Sequence, residues 1–160
     1  MHQQPSKVQF LRRLKNLSID RVFRRMFLPD LQCLPADERD QQSDGPIEFH
    51  LSNGFVFHAQ PETETMNVVV APGPMPSMGE SYSFAEVGLN DFWSTRTKRP
   101  IVQVDVLQSL YNERNEFGVE FFLDGGESFA VEYSSEDPAF DQLRITGPYS
   151  GPPCSRISVF

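Results

Sequence analysis

Three side chains that could together ligate a metal, Glu48, His50 and His58, fall on one short stretch, IEFHLSNGFVFHA (47–59). Zinc accepts nitrogen and oxygen ligands of this kind, usually four of them. If the stretch folds as a β-hairpin, Glu48 stands opposite His58 and His50 sits diagonally on the same face, close enough to share an ion. The expectation is still that no metal is bound. A fourth ligand is not evident, and a second, similar stretch carries Phe122 and Ala130 at the equivalent places. Polar residues alternating with apolar ones are also what a solvated sheet face requires.

Catalytic patterns are equally sparse. The chain has no G-x-S-x-G turn, P-loop, G-x-G-x-x-G or H-E-x-x-H. Cys33 lies between Leu31 and Leu34 and reads as packed rather than reactive. Phe92 and Trp93 read as core. The expectation is therefore a protein that is not an enzyme and needs no cofactor. Acidic loops are the stronger candidates for function. Asp37, Glu38, Asp40 and Asp44 crowd LPADERDQQSDGP (34–46), Glu62 and Glu64 lie in PETET, and Glu136, Asp137 and Asp141 lie in SSEDPAFD. Such charge either solvates a loop or steers a basic partner onto it. Asp37, Glu38, Asp40, Asp44, Glu62 and Glu64 are accordingly the expected partner-binding residues.

The elements that must position these residues follow from an internal echo. Residues 47–59 return in altered form at 119–131, VEFFLDGGESFAV, with Glu, Phe, Leu, Gly and Phe in matching places. A two-residue Asn53-Gly54 turn would mix apolar and polar residues on both hairpin faces. A three-residue loop, Ser52 to Gly54, instead pairs Leu51 with Phe55, Phe49 with Phe57 and Ile47 with Ala59, so one face is wholly apolar. The same loop at Asp124-Gly125-Gly126 pairs Leu123 with Glu127, Phe121 with Phe129 and Val119 with Val131. This is a recognised hairpin with glycine in the bulge, and a one-residue slip would turn the buried set outward.

Strands are expected after each hairpin, at Met66–Val70 and Leu143–Thr146, and before the second, at Ile101–Leu107. Ser6 caps an expected helix with Phe10, Leu11, Leu14 and Leu17 on one side. Ser83 and Glu86 form an S-x-x-E box that predicts a short helix from Phe84 to about Trp93. Over Ile19–Leu28 helix and strand patterns compete, and the repeat favours a strand ending before Pro29. The expected architecture is α+β: a mostly antiparallel sheet in one domain, built from two related helix–strand–hairpin–strand halves, about 6–72 and 83–147. A Pro-rich connector (73–82) joins them, and an extended tail (148–160) ends in an edge strand near Ile157–Phe160.

An apolar fraction of 39% suits a globular domain, and no run approaches the ~20 apolar residues of a membrane helix. No secretion-type apolar segment is seen at the N-terminus, and two distant cysteines make no disulfide framework; the expected location is the cytoplasm. Charge is unevenly spread. Residues 1–28 hold seven cations against Asp20 alone, a formal +6, which leaves −14 for the rest of a chain whose total is −8. The acidic body should repel nucleic acid and attract basic partners. The basic start either packs beside that body, touches an anionic partner, or is an Arg-rich targeting segment; packing is the expected reading.

The segment FGVEFFLDGGESFAVEY (117–133) resembles a recurrent unit of small bacterial sheet proteins, some of which are immunity proteins of contact-dependent or secreted toxins. The resemblance covers the second half and, more faintly, the first. It implies a non-catalytic protein that binds and neutralises a cognate toxin, with no particular binding residue carried over. The alternative is an adaptor or structural subunit of a larger assembly. A third class, a small hydrolase or ligand-binding domain, requires a concave pocket with converging polar groups. The oligomeric state is not written in the chain.

Overall fold

The computed structural model describes residues 7–29, 41–43, 45–137 and 140–160. Strand accounts for 51% and helix for 9%, too little helix to form a layer of its own. The first described element is α1 (Lys7–Leu11), continued by a 3-10 turn (Arg12–Leu14). Among the described residues eleven strands follow: β1 (Ile19–Phe27), β2 (Gln42–Ser43), β3 (Ile47–Leu51), β4 (Val56–Glu62), β5 (Asn67–Pro72), β6 (Tyr82–Glu86), β7 (Ile101–Ser109), β8 (Glu116–Leu123), β9 (Ser128–Asp137), β10 (Phe140–Thr146) and β11 (Cys154–Ser158). A second short helix, α2 (Asp91–Ser94), lies between β6 and β7.

The strands form two sheets, in the orders β5-β4-β3-β1-β6 and β11-β7-β8-β9-β10-β2. All of the pairings are antiparallel. In each sheet a run of four strands is followed by a fifth that returns beside the first: β6 to β1, and β11 to β7. β2 crosses from the first half of the chain to pair with β10.

Both hairpins adopt the three-residue loop. Ile47 pairs with Ala59 and Phe49 with Phe57, and Leu51 N–H donates to Phe55 O at 2.9 Å. In the second, Val119 pairs with Val131 and Phe121 with Phe129, and Leu123 N–H donates to Glu127 O at 2.8 Å. Gly54 and Gly126 hold φ of +84° and +93°, a region that costs other residues steric strain. The inward faces then meet as one core. Phe49 stacks on Phe57 and Phe121 on Phe129, each at 4.8 Å between ring centroids, and Phe49 reaches Phe129 across the sheets at 5.8 Å. α1 sets Phe10 against Phe57, and α2 sets Trp93 edge-on to Phe129. Aromatic pairs at these separations add to the stabilisation from area burial.

Several sequence expectations are corrected. The Ser83–Glu86 box opens no helix: residues 82–86 are β6, because the open edge of β1 offers a full ladder of backbone bonds and overrides a local capping signal. Ser83 Oγ bonds Met26 O, and Glu86 takes two bonds from Arg21, at 2.8 and 3.0 Å. The N-terminal helical segment ends at Leu14; Asn16 has φ of +66° and Leu17 lies beyond the turn. Within the expected loop 34–46, residues 42–43 are a strand. Glu136 and Asp137 belong to β9 and Asp141 to β10 rather than to a turn. The tail's edge strand runs over Cys154–Ser158 rather than 157–160.

Candidate functional site

The register brings Glu48 opposite His58, as expected, but their face is not open to solvent. Glu48 is 5% exposed because the segment after β5 runs over it. Its Oε1 accepts the N–H of Met75 at 2.8 Å, and its Oε2 lies 2.7 Å from His50 Nε2. His58 Nδ1 lies 2.9 Å from Gly73 O. These polar atoms therefore fasten a Gly-Pro strap, Gly73-Pro74-Met75, to the sheet. Among the described residues no group of three or more His, Cys, Asp or Glu is arranged to hold a metal.

The second sheet has a counterpart. Glu120, the equivalent of Glu48, is 2% exposed, and its Oε2 accepts the N–H of Tyr149 at 2.6 Å from a second strap, Gly147-Pro148-Tyr149. Its Oε1 accepts from Arg156 Nη1 at 2.7 Å, and the same guanidinium reaches Asp105 at 3.1 Å. Burial works against the Arg156 charge, but the two carboxylates outweigh it and hold its pKa above the ordinary value. The repeated Gly-Pro pair is visible in the sequence and was the missed signal for both straps.

The second strap walls a cleft of about 440 Å³. Its other walls are the β7–β8 loop, with Ser109, Tyr111 and Asn115, and β9 and β10, with Glu132 and Arg144. Glu132 and Arg144 stand directly opposite each other in the ladder, and Glu132 Oε2 also accepts from Thr146 Oγ1 at 3.2 Å. Phe117 and Tyr149 pack ring against ring at 5.9 Å. The Tyr149 hydroxyl donates to Pro152 O at 2.6 Å; burial first, then Cys154 and Glu132, push its pKa up to about 12. Burial also raises the Cys154 thiol, although Arg156 and Tyr149 pull the other way. A thiol held above its ordinary range is a poor nucleophile at neutral pH.

Beside the cleft, two loops share one end of the molecule. Asn67 Nδ2, after the β4–β5 turn, donates to Arg114 O in the β7–β8 loop at 3.4 Å. Lys7 Nζ donates to Val68 O at 2.6 Å and lies 3.5 Å from Glu116. Burial lowers the Lys7 pKa, with Glu116 and Glu62 opposing that shift. Glu62 at the end of β4, Glu64 in the turn after it and Glu113 from the β7–β8 loop are exposed here. So are three apolar side chains: Met66 at 44%, Leu110 at 54% and Tyr111 at 97%. The β7–β8 loop is braced from within, since Ser109 Oγ accepts from Tyr111 N–H and Asn112 Oδ1 from Arg114 N–H. Tyr111 is thus held outward by a bonded turn.

Of the expected partner-binding residues, Glu62 and Glu64 come together at this end, while Asp37, Glu38, Asp40 and Asp44 lie outside the described residues. Cys33 lies outside them as well. Of the cations of the basic start, Lys7 pairs with Glu116, Arg21 with Glu86, and Arg24 lies in the interior, where its guanidinium donates to Leu143 O, while Arg12, Arg13 and Lys15 are exposed. Among the described residues no helix is long and apolar enough to cross a membrane. Set against known proteins, the chain matches no family model, no curated protein and no solved structure.

Proposed function

We propose that this chain is a non-catalytic protein-binding module for a basic partner, and specifically a cytoplasmic immunity protein that binds and neutralises a cognate bacterial toxin. The observation that carries the reading is the end where Met66, Leu110 and Tyr111 stand exposed among Glu62, Glu64 and Glu113. An exposed tyrosine on a braced loop is a ready anchor, and acidic groups around it speed encounter with a positive surface.

The sheet orders and the two glutamate-held straps also support descent from one duplicated unit, whose halves each run through a hairpin and return a fifth strand to the first. A structural-subunit role has its own support. On the first sheet Phe84 is exposed and stacks on Phe23 at 5.2 Å, with Arg21 over Phe23 and Arg25 over Phe84. That offers a second face for a constitutive neighbour.

The test is capture of partners from lysate of the source organism with the tagged chain, washed at low and high salt, followed by binding kinetics. The expected result is one basic protein in stoichiometric amount, toxic when expressed alone and harmless when co-expressed. Tyr111→Ser should weaken that complex at least about tenfold. Glu62→Lys with Glu64→Lys should slow association about tenfold and flatten its salt dependence. A partner bound equally by both variants removes this surface from the proposal. Recovery of only housekeeping assembly subunits replaces the immunity reading with the structural one.

A further inference from the structure

We infer that the cleft on the outer face of the second sheet binds a neutral, polyhydroxylated ring, that is, a saccharide. Its volume of about 440 Å³ falls in the roughly 300–1,000 Å³ range of small-molecule sites, and is far too small to seat an element of a folded partner. Three aromatic residues, Tyr111, Phe117 and Tyr149, contribute to the lining and supply apolar surface for the C–H face of a ring.

The charges decide the guest. Glu132 and Arg144 occupy directly opposite ladder positions, so a cation entering the cleft meets a guanidinium and an anion meets a carboxylate. Behind them, Arg156 is matched by Asp105 and Glu120. A charged ligand would gain one favourable partner and one unfavourable one while losing its hydration. A hydroxyl-bearing ring has no such conflict. Each of its hydroxyls donates to an acceptor such as Glu132 and accepts from a donor such as Arg144, and hydrogen bonds to charged groups are the stronger kind. Ser109 and Ser134 add further hydroxyls to the lining. The inference does not rest on the protein-binding proposal.

The experiment is a titration of the isotope-labelled full chain, followed by backbone amide resonances. The neutral probes are maltose, cellobiose and diacetylchitobiose; the charged probes are arginine methyl ester and adenosine monophosphate. The expected result is saturable shifts from at least one neutral disaccharide, centred on Ser109, Asn115, Glu132, Ser134 and Tyr149, with no matching response to the charged probes. Arg144→Gln should weaken the interaction about tenfold while leaving the distant resonances of β3 and β4 in place. Should that variant misfold, Tyr111→Ser, at an exposed position of the β7–β8 loop, carries the same expectation. The hexasaccharide of the responding series separates sources, binding more tightly than the disaccharide if the target is a glycan chain and equally if it is a free sugar. Preferential binding of either charged probe, saccharide shifts located elsewhere, or no saturable shift with any probe overturns the inference.

Discussion

The two sheets agree on their inward faces and diverge on their outward ones. Ile47, Phe49, Leu51 and Phe57 match Val119, Phe121, Leu123 and Phe129, all buried in the one core. Outward, only the strap-holding glutamate is kept. Glu48 shares its carboxylate between a strap amide and His50, whereas Glu120 shares its own between a strap amide and Arg156. The His50 and His58 positions become Phe122 and Ala130. Close-packed interiors restrict which side chains fit, so the two sheets differ mainly on their outer faces, and the second carries the cleft there. Function is therefore sought on the second sheet's outer surface and its loop end, while the first sheet's histidines are explained by fastening a strap.

The largest test of this comparison is at the shared core. Phe49→Ala and Phe121→Ala should each lower unfolding stability by about 3–5 kcal/mol in urea titrations. Because the two rings lie 6.2 Å apart across the sheets, the double variant should depart from the sum of the singles by more than about 0.5 kcal/mol. Strict additivity would mean that the sheets do not share a core. Next come the glutamates. Glu120→Ala should cost about 2 kcal/mol and Glu48→Ala about 1 kcal/mol, since an Arg-supported carboxylate is replaced in one case and a His-supported one in the other. Hydrogen exchange should speed up at the Tyr149 amide in the first variant and at the Met75 amide in the second. The reverse pattern would undo the proposed equivalence of the straps.

The glycines should behave alike. No heavy atom lies within 4 Å of a Cβ added at Gly54 or Gly126, so each Gly→Ala change registers backbone strain alone, about 1 kcal/mol. A difference of more than about half that value would show that the two loops are not the same turn. Smallest is a pH effect confined to the second strap. The Tyr149 phenol is raised from 10 to about 12 by burial, so the folded state holds its proton longer than the unfolded chain does. The stability it contributes is fully present below pH 10 and is lost as pH rises toward 12. In Tyr149→Phe this part of the alkaline decline should vanish, as unfolding midpoints across that window will show.

Hairpin register was legible because it is a local problem: a glycine, a two-residue alternation and the need for one dry face left a single pairing in each copy. The strand character of Ile19–Phe27 became legible only through the repeat. β6 was not, because a local S-x-x-E pattern competes with an edge of β1 that exists only after folding. The Glu48 face was expected to be wet for a similar reason, since alternation tells which residues leave the core but not what then covers them. Within the candidate site, Glu62 and Glu64 were legible as exposed acids. Tyr111, Glu132, Arg144 and Tyr149 were not, since the cleft is assembled from three stretches well separated in the chain, and only the recurring Gly-Pro pair hinted at the strap that closes it.

The order of the strands has a consequence for synthesis. The first sheet is complete once Glu86 has emerged, yet Phe49 and Phe57 find their cross-sheet neighbours only when Phe121 and Phe129 appear. For that interval a finished sheet waits with its greasy face only partly covered by α1, the kind of species that sticks to its neighbours on crowded ribosomes. β2 prolongs the wait, because its partner β10 is among the last strands made. A nascent chain of this design relies on prompt arrival of its second half, so a pause in translation between β6 and β8 is where its yield is decided.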